Sequence, residues 1–464
     1  MNMLVPAVMF GWPMLAIALF LILQPRHAVL VTCIGAWLFL PIAEYPIPGL
    51  PDYTKVTAAS LSVLAAAVLV HPRLLQSFRP NWIDTPIILF CMWSATSSFT
   101  TGKGAWDALS AIIAQLIEWG LPYLIGRIYF TSLEGLRELV MGIVIGGIIY
   151  VPLCMIEIRL SPQLHVWFYG YHQHVFAQSI RFGGFRPTVF MTHGLAVAMW
   201  MVNATLLAIW MRLTGAVRRL GGIPMEVLIA LMLVTCVLCK STGALALLLV
   251  GLGTVAICLV RNRSWALILL IAVPPVWMLG RTFDWFSGQF VSDLFNGVST
   301  ERAESFALRL RQESDIIATA LQHPICGGSR WFSFGADQWW LLCFRNFGAV
   351  GLAALSAVFL LPGLVICRRL TFTHMSDPRS SPIFGMILVI TLYMIDNLAN
   401  CMTNPIFTMI AGALGTTIVA NDSLGPEIAV DQNEGKHKTL YVRRRLWPPP
   451  VTTSVREGAP PCIP

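Results

Sequence analysis

Apolar stretches recur along nearly the whole chain, and their number and length restrict the fold more than any other feature. The apolar windows are 4–23, 28–43, 56–70, 83–99, 105–126, 138–157, 188–211, 224–239, 242–260, 264–280, 342–366, 383–398 and 404–420. A helix needs about 20 apolar residues to cross the hydrocarbon core of a bilayer. Charged residues make up only 12% of the chain, about half the fraction that a soluble domain carries. We therefore predict an all-α, polytopic integral membrane protein with about 12–13 transmembrane helices.

The short loops between these windows form two sets of unequal charge when alternate loops are assigned to opposite sides. One set carries Arg26, Arg73, Arg79, Arg127, Arg137, Arg212, Arg218, Arg219, Arg261, Arg263, Arg368, Arg369 and Arg379. The other set carries only Lys55, Lys103, Arg159, Arg181, Arg186 and Lys240. Since basic residues accumulate in cytoplasmic loops, we assign the first set to the cytoplasm and the N-terminus to the outside. The net charge of +8 is explained by this topology, and no nucleic-acid partner is expected.

Polar segments divide the chain into a membrane domain, two outward loops and a tail. Residues 1–420 form the predicted transmembrane domain, with extracytoplasmic loops at about 158–187 and 281–340. Within the second loop, the segment from Ala303 to Leu321 is amphipathic at helical spacing. We expect it to lie along the membrane surface and cap the bundle. Residues 421–464 are polar and proline-rich, which predicts a disordered cytoplasmic tail.

Three basic residues at predicted outer helix ends are candidates for binding an anionic substrate. Arg181 and Arg186 stand in the sequence SIRFGGFRP, where two glycines permit close approach of the backbone to a ligand. They contact either lipid headgroups or a diphosphate, whose oxygens suit the planar guanidinium group. Lys240 stands in the short turn VLCKSTG. It is either an interfacial lysine that reaches toward water or a phosphate-binding cation.

Two further residues admit both a structural and a catalytic interpretation. His193 begins a predicted span, either as a buried, hydrogen-bonded side chain or as part of a site. Asp337 precedes the apolar run that begins near Leu341. It either caps that helix or accepts a proton from a hydroxyl nucleophile. If Asp337 is a cap only, His193 or Glu313 becomes the next candidate for the proton acceptor.

Other polar residues lie within or beside the spans. The acids among them are Glu44, Glu118 and Glu157, of which Glu44 and Glu157 are close enough to helix ends to be hydrated. Asp396, Asn397, Asn400 and Asn404 interrupt the last two windows, where such side chains hold membrane helices together. His172 and His174 do not share a helical face, and Cys236 and Cys239 fall within a predicted span. We expect no metal site, and the absence of phosphate-binding and dinucleotide-binding motifs argues against a nucleotide cofactor.

A set of short motifs occurs in a fixed order along the second half of the chain. The motifs are Lys240-Ser241-Thr242-Gly243, Arg309 followed by Ala320-Leu321, His323-Pro324, Gly327-Gly328, Asp337 to Leu341, and Gly348 to Leu352. In this order, and on this hydropathy pattern, they resemble the O-antigen ligase and O-antigen polymerase superfamily, in particular its exopolysaccharide-biosynthesis members. The resemblance covers most of residues 1–420.

The resemblance implies a multi-pass enzyme of the bacterial inner membrane with an outward active site. Such enzymes transfer glycan from undecaprenyl diphosphate to an acceptor sugar hydroxyl without a metal or another cofactor. Arg309 matches the loop arginine expected at the donor diphosphate, and Arg181 or Arg186 matches an earlier outer arginine. We group the neighbouring Arg311 with the substrate-binding residues. The implied partners are the lipid-linked oligosaccharide, membrane lipid and other polysaccharide-assembly proteins.

Two departures from the family pattern bear on the reaction. Lys240 stands where the family has an arginine, and Asp337 stands where ligases have a catalytic histidine. The missing histidine favours a glycan polymerase over a ligase acting on a lipid or protein acceptor. A flippase or other transporter is a third possibility, which the outer position of the cations disfavours. Family members also have about a dozen spans with both ends inside, whereas the windows here predict an outward N-terminus.

Overall fold

The computed structural model describes residues 2–76, 78–290, 300–328 and 337–423, and this part of the chain is almost entirely helical. Its α-helices are α1 Leu4–Ile22, α2 Pro25–Phe39, α3 Lys55–Val70, α4 Pro72–Gln76, α5 Thr85–Thr100, α6 Ala105–Gln115, α7 Leu121–Tyr129, α8 Leu133–Leu160, α9 Leu164–Tyr169, α10 Gly194–Leu213, α11 Met225–Leu238, α12 Thr242–Arg261, α13 Trp265–Thr282, α14 Thr300–Ala320, α15 Trp339–Arg369, α16 Phe372–Ser376, α17 Ser381–Asp396 and α18 Pro405–Ser423. A π-helical turn, Leu116–Gly120, joins α6 to α7. Two short antiparallel hairpins complete the elements: β1 Ile180–Arg181 with β2 Gly184–Phe185, and β3 Arg219–Leu220 with β4 Ile223–Pro224.

Every apolar window coincides with helix, so the prediction of an all-α, polytopic membrane protein is confirmed. Seven helical stretches among the described residues are long and apolar enough to cross a membrane by length and composition. They are Leu4–Ile22, Ala105–Tyr129, Leu133–Leu160, Gly194–Leu213, Thr242–Arg261, Trp265–Thr282 and Trp339–Arg369. Shorter apolar helices, such as α2, α3, α11 and α17, pack among them.

The helix α10 forms the centre of the bundle. It packs against α8, α11, α12 and α17, and 89% of its apolar window is buried, compared with 22% for α1. Small residues permit the close packing, as expected between membrane helices. A Cβ at Gly147 of α8 would lie only 2.5 Å from the Cβ of Ala204, which is on α10. This central helix is therefore held by several neighbours at once.

One end of the bundle, which we call the loop end, carries the segments 161–193, 239–241 and 397–404. The N-terminus also lies there, because the Asn2 side chain donates to the carbonyl oxygen of Phe168 at 2.7 Å. Loops that the charge distribution assigns to the outside also lie at this end. For example, the Lys55 ammonium donates to the Phe190 carbonyl oxygen at 3.3 Å and lies over the Trp37 ring.

The opposite end, which we call the hairpin end, carries the β3–β4 hairpin and residues 130–132. Loops of the predicted cytoplasmic set meet there. Arg137 donates to the carbonyl oxygen of Ala216 at 3.0 Å, and Arg26 lies 3.4 Å from a carboxylate oxygen of Glu138. The assignment of the hairpin end to the cytoplasm stays a prediction.

The amphipathic segment of the second loop is the helix α14, which packs against α15. Its apolar residues Leu310 and Ile317 are buried, whereas Leu321, directly after the end of the helix at Ala320, is 48% exposed. The chain is one compact unit over Met1–Asn421. Residues 291–299 and 329–336 of the predicted loop, and the predicted tail from 424 onward, lie outside the described residues.

Two motif glycines allow one segment of backbone to cross another at the start of α15. This helix has a kink at Gly348, where φ is 66°, and the Ala349 amide donates to the Pro324 carbonyl oxygen at 2.7 Å. A Cβ at Gly348 would lie 2.1 Å from the Ile325 carbonyl oxygen, and a Cβ at Gly327 would lie 2.4 Å from backbone of α15. Because no side chain fits at either position, both glycines are required by the fold.

Candidate functional site

The Lys240 side chain holds the β1–β2 hairpin at the loop end. Its ammonium group donates to the carbonyl oxygens of Arg181 and Phe182, both at 3.2 Å. The contact is so close that a Cβ at Gly184 would lie 2.2 Å from the Lys240 nitrogen. Two of the three ammonium protons are thus directed at the hairpin backbone. This geometry favours a role in positioning the hairpin, which neither sequence interpretation of Lys240 included.

Arg186, which follows the hairpin, in turn contacts the backbone of Lys240. Its guanidinium Nη2 donates to the Lys240 carbonyl oxygen at 3.0 Å, and its backbone amide donates to the Ser179 carbonyl oxygen at 2.7 Å. The residue is only 3% exposed. Gly194 provides the space, since a Cβ there would lie 2.3 Å from the Arg186 Cδ. We call these contacts between the hairpin and residues 239–241 the hairpin clasp.

Glu157 anchors the segment that carries the hairpin. It is fully buried, and its carboxylate accepts hydrogen bonds from the backbone amides of Leu164, Thr188 and Val189 at 3.0, 2.7 and 2.7 Å. The expectation that Glu157 is hydrated is therefore wrong. A carboxylate satisfied by three backbone donors is a structural anchor, and here it fixes both ends of the 161–193 segment.

His193 is the N-cap residue of α10. Its Nδ1 accepts a hydrogen bond from the Leu195 amide at 3.0 Å, and its Nε2 lies 3.3 Å from the Gln178 side-chain oxygen. This arrangement requires a neutral imidazole with the proton on Nε2. The structural interpretation of His193 is thereby supported, since its basic nitrogen is already occupied by the helix.

The electrostatic surroundings of His193 show which cations lie near each other. Burial, followed by the neighbouring His174 and the charges of Arg186, Arg181 and Arg309, lowers the pKa of His193 to about 3. Arginines from two distant parts of the sequence are therefore close enough for their charges to act on one imidazole ring. A region with several fixed positive charges is suited to an anionic ligand.

Among the described residues, no group of three or more potential ligands is placed to hold a metal ion. The closest histidine pair is His174 and His193, whose ring centroids are 4.6 Å apart. Cys236 and Cys239 are both buried inside the bundle.

Arg309 and Asp337 form a loose pair near the start of α15. The Arg309 Nε lies 4.0 Å from a carboxylate oxygen of Asp337, and the two side chains are 29% and 64% exposed. The Gln338 side chain fixes this stretch of α14, because its Nε2 donates to the Arg309 carbonyl oxygen at 3.1 Å. Arg311 is exposed and lies two positions further along α14, so it does not share the face of Arg309.

The interpretation of Asp337 as a helix cap does not hold. The N-cap position of α15 is occupied by Gln338, which makes no side-chain capping bond. The first amide of the helix, at Trp339, donates instead to the carbonyl oxygen of Asn400 at 3.0 Å. The Asn400 carbonyl oxygen, and not the Asp337 side chain, therefore satisfies the first amide of α15.

Glu313 is committed to a buried ion pair. Its carboxylate accepts from Arg281 Nε at 2.8 Å, and both side chains are at most 5% exposed. Burial raises the pKa of Glu313, and the adjacent guanidinium group opposes that rise. This pair joins α13 to α14 and leaves Glu313 poorly suited to accept a proton from a substrate.

The sequence candidates thus divide into three groups. The charges of Arg181, Arg186 and Arg309 act on His193. Lys240 holds the hairpin, and Asp337 and Arg311 are exposed. The sequence did not predict that Glu157 anchors the backbone of the next segment. Its position one turn before the end of α8, ahead of a loop that contains glycines, could have indicated this role. It also treated Asp396 only as a helix-packing residue, although an intramembrane acid is a functional candidate by default.

Comparison with known proteins adds no family assignment. No protein-family model matches the chain, and no curated protein matches it. The resemblance to O-antigen ligases and polymerases therefore depends on its motifs alone, and its functional consequences are proposals.

Proposed function

We propose that this protein is a membrane glycosyltransferase that polymerises glycan units carried on undecaprenyl diphosphate. The donor glycan is transferred to a sugar hydroxyl at the loop end, which faces away from the cytoplasm. The energy for the reaction comes with the donor, because its lipid diphosphate is the leaving group. No nucleotide is required on that side of the membrane.

The observation that carries the proposal is that Arg181, Arg186 and Arg309, which we call the arginine cluster, are all close enough for their charges to act on His193. Departure of the lipid diphosphate places negative charge on its oxygens. Fixed cations in a partly dehydrated site stabilise that charge far more than water does, because they need no reorganisation during the reaction. Guanidinium groups suit this ligand since their planar donors match pairs of phosphate oxygens. Arg309 and Arg181 are better placed for contact with substrate than Arg186, because both are partly exposed whereas Arg186 is buried.

The hairpin clasp supports the same proposal. A loop that binds substrate must hold its cations in fixed positions, since misplacement by about 1 Å costs catalysis heavily. Lys240 and Arg186 fix the hairpin by mutual contacts to backbone carbonyl oxygens. Glu157 fixes the segment on either side of it. The arginine cluster is thus preorganised before a donor arrives.

The direct test uses the purified full-length protein in lipid nanodiscs. Undecaprenyl-diphosphate-linked repeat units, extracted from a strain that lacks the protein, serve as donor and acceptor. We expect a ladder of longer lipid-linked glycans and release of undecaprenyl diphosphate in equal amount. Absence of both products with the repeat units of the native host would contradict the proposal.

A deletion strain separates polymerase from ligase. Loss of a polymerase leaves single lipid-linked repeat units in the membrane. Loss of a ligase leaves finished long chains on the lipid carrier, which would transfer the assignment to the ligase alternative. Transport without transfer, seen as movement of unchanged lipid-linked units across vesicles, would favour the flippase alternative.

A further inference from the structure

Asp396 is a buried carboxylate whose hydrogen bonding is incomplete within the described part of the chain. It ends α17 at the loop end and is 7% exposed. One carboxylate oxygen, Oδ1, accepts from the Asn400 side chain at 2.8 Å. The other, Oδ2, is buried and has no hydrogen-bond partner among the described residues. Such a group is costly to bury, so its retention requires an explanation.

A short series of contacts connects Asp396 to the arginine cluster. Asn400, which orients the Asp396 carboxylate, accepts from the Trp339 amide through its own carbonyl oxygen at 3.0 Å. The adjacent Gln338 donates to the Arg309 carbonyl oxygen at 3.1 Å. Arg309 is close enough for its charge to act on the Asp396 carboxylate. Both residues thus border the same region, where α14, α15 and α17 meet.

The other carboxylates near this region differ from Asp396 in decisive ways. Asp337 is 64% exposed, and Glu118 lies partly exposed in the π-helical turn. Glu313 is paired with Arg281, and Glu157 is used by three backbone amides. Among these four carboxylates and Asp396 itself, Asp396 is the one that combines burial, an oriented Oδ1 and an Oδ2 without a hydrogen-bond partner among the described residues.

We infer that Asp396, rather than Asp337, accepts the proton of the acceptor hydroxyl in the proposed glycan transfer, an inference that rests on the proposed function. The acceptor oxygen forms a bond to the anomeric carbon of the donor, and the bond from that carbon to the diphosphate oxygen breaks. The electron pair of the broken bond leaves with the lipid diphosphate. The hydroxyl proton passes to Oδ2 of Asp396.

The chemistry of general bases explains the features of this carboxylate. A general base works best when its acceptor atom is held in place and shielded from water that would compete for it. Asn400 provides the orientation through Oδ1 and leaves Oδ2 for the proton. Arg309 stabilises the ionised carboxylate before the reaction and faces the diphosphate at the same time. A single cation thereby connects the proton acceptor to the leaving group.

The test compares Asp396→Asn with the wild type in nanodiscs, using the same lipid-linked repeat units. The asparagine keeps the size of the side chain and can accept from Asn400, but it cannot take a proton. We expect kcat to fall by about 10²- to 10⁴-fold. Binding of undecaprenyl diphosphate, measured separately, should be unchanged because the arginines are intact. The competing candidate, Asp337→Asn, should lower kcat far less than Asp396→Asn does.

Each outcome distinguishes the inference from the proposed function. An active wild type with an equally active Asp396→Asn variant would overturn the inference and leave the function intact. A wild type that transfers no glycan would overturn both. If Asp396→Asn also loses undecaprenyl diphosphate binding, the variant Asp396→Glu decides the matter. Its restored carboxylate should recover part of kcat, and failure to exceed the asparagine variant would show a structural role only.

Discussion

The two ends of the bundle each hold an arginine–aspartate pair. The pairs differ in the distance between the charged groups, in their hydrogen bonds and in their exposure. At the hairpin end, Arg127 binds Asp84 through two hydrogen bonds of 2.7 and 2.9 Å. Both side chains are at most 4% exposed, and Tyr123 donates a third bond to the carboxylate at 2.8 Å. At the loop end, Arg309 and Asp337 make one contact at 4.0 Å and are far more exposed.

The two pairs show that a buried ion pair can serve the packing of helices while a more exposed pair remains able to contact a ligand. The Asp84 carboxylate is surrounded by its own donors, so it is held to one geometry and offers little to a ligand. Arg309 is partly exposed and makes only one contact of 4.0 Å with Asp337, and the buried Oδ2 of Asp396 has no hydrogen-bond partner among the described residues. Closed groups of charges stabilise helix packing, whereas open ones are suited to substrates.

Disruption of the closed pair should have the largest effect on stability. Arg127→Ala leaves the Asp84 carboxylate buried without its cation, which is expected to cost about 3–5 kcal/mol of folding free energy. The thermal unfolding midpoint of the purified protein and its yield from membranes measure the loss. The matched control is Arg212→Ala, which breaks an exposed pair with Glu226 and should leave the midpoint unchanged. Equal midpoints for both variants would contradict the contrast between the two pairs.

Disruption of the open pair should affect activity and spare stability. Arg309→Ala removes donors from the leaving diphosphate, which should cost about 2–4 kcal/mol in the barrier, or about two to three decades in rate. Its unfolding midpoint should hardly change, because partly exposed pairs contribute at most about 1 kcal/mol. Glycan ladders and thermal unfolding are measured on the same preparations.

The neighbouring Arg311→Ala is the control for loss of charge on α14, and it should stay active. Arg186→Ala is also expected to lose product, but with lower stability because its buried guanidinium holds the Lys240 turn. Near-normal polymer from both Arg309→Ala and Arg186→Ala would remove these arginines from the site.

A smaller effect is expected from the hairpin clasp. Lys240→Met removes the donors to two carbonyl oxygens, which should cost about 1–3 kcal/mol and lower the rate by displacing the hairpin. Gly184→Ala should resemble it, since the added methyl group displaces the same ammonium. If Lys240 acted only as a phosphate cation, Lys240→Arg would keep full activity and Gly184→Ala would be harmless. Transfer rates of the three variants distinguish these roles.

The smallest effect concerns the pH dependence of stability. The pKa of His193 is about 3 in the folded protein, below its ordinary unfolded value of about 6.5. The unfolded state therefore binds more protons as the pH falls below about 6.5, so folding stability decreases by up to about 1.4 kcal/mol per pH unit. His165, whose pKa burial lowers to about 4, adds an effect of the same sign.

The variant His193→Asn isolates the His193 contribution. Asparagine is a good N-cap residue, so α10 keeps its cap while the titrating group is lost. The unfolding midpoint should fall less between pH 7.5 and pH 5 than it does in the wild type. An unchanged slope would show that burial and the neighbouring positive charges do not suppress the protonation of His193.

Local hydropathy was sufficient to predict the helices, because the apolar content of a segment is a property of its own residues. The hairpin clasp could not be predicted, since Lys240 donates to backbone oxygens 58 and 59 positions earlier in the sequence. Lys240 and Arg186 were identified as important cations, but their partners depend on tertiary packing. The sequence therefore identified residues that contact each other in the structure, but not which atoms make those contacts.

The errors concern side chains whose neighbours come from distant segments. Asp337 had the position of a helix cap, yet the first amide of α15 is satisfied by the Asn400 carbonyl oxygen. Glu157 was expected to be hydrated, yet the 161–193 segment folds back over it. In both cases the sequence rule considered only residues nearby in the chain, while the hydrogen bonds were made across the bundle.

The central position of α10 has a consequence for the order in which the chain is assembled. Trp210 donates to the carbonyl oxygen of Ser381, a residue 171 positions later in the sequence. At ordinary translation rates that partner emerges roughly 10–35 s after Trp210 has been made. Until then the side of α10 that packs against α17 must remain uncovered in the membrane. The central helix of this protein is thus made midway through translation, and its packing is completed only when α17 is inserted.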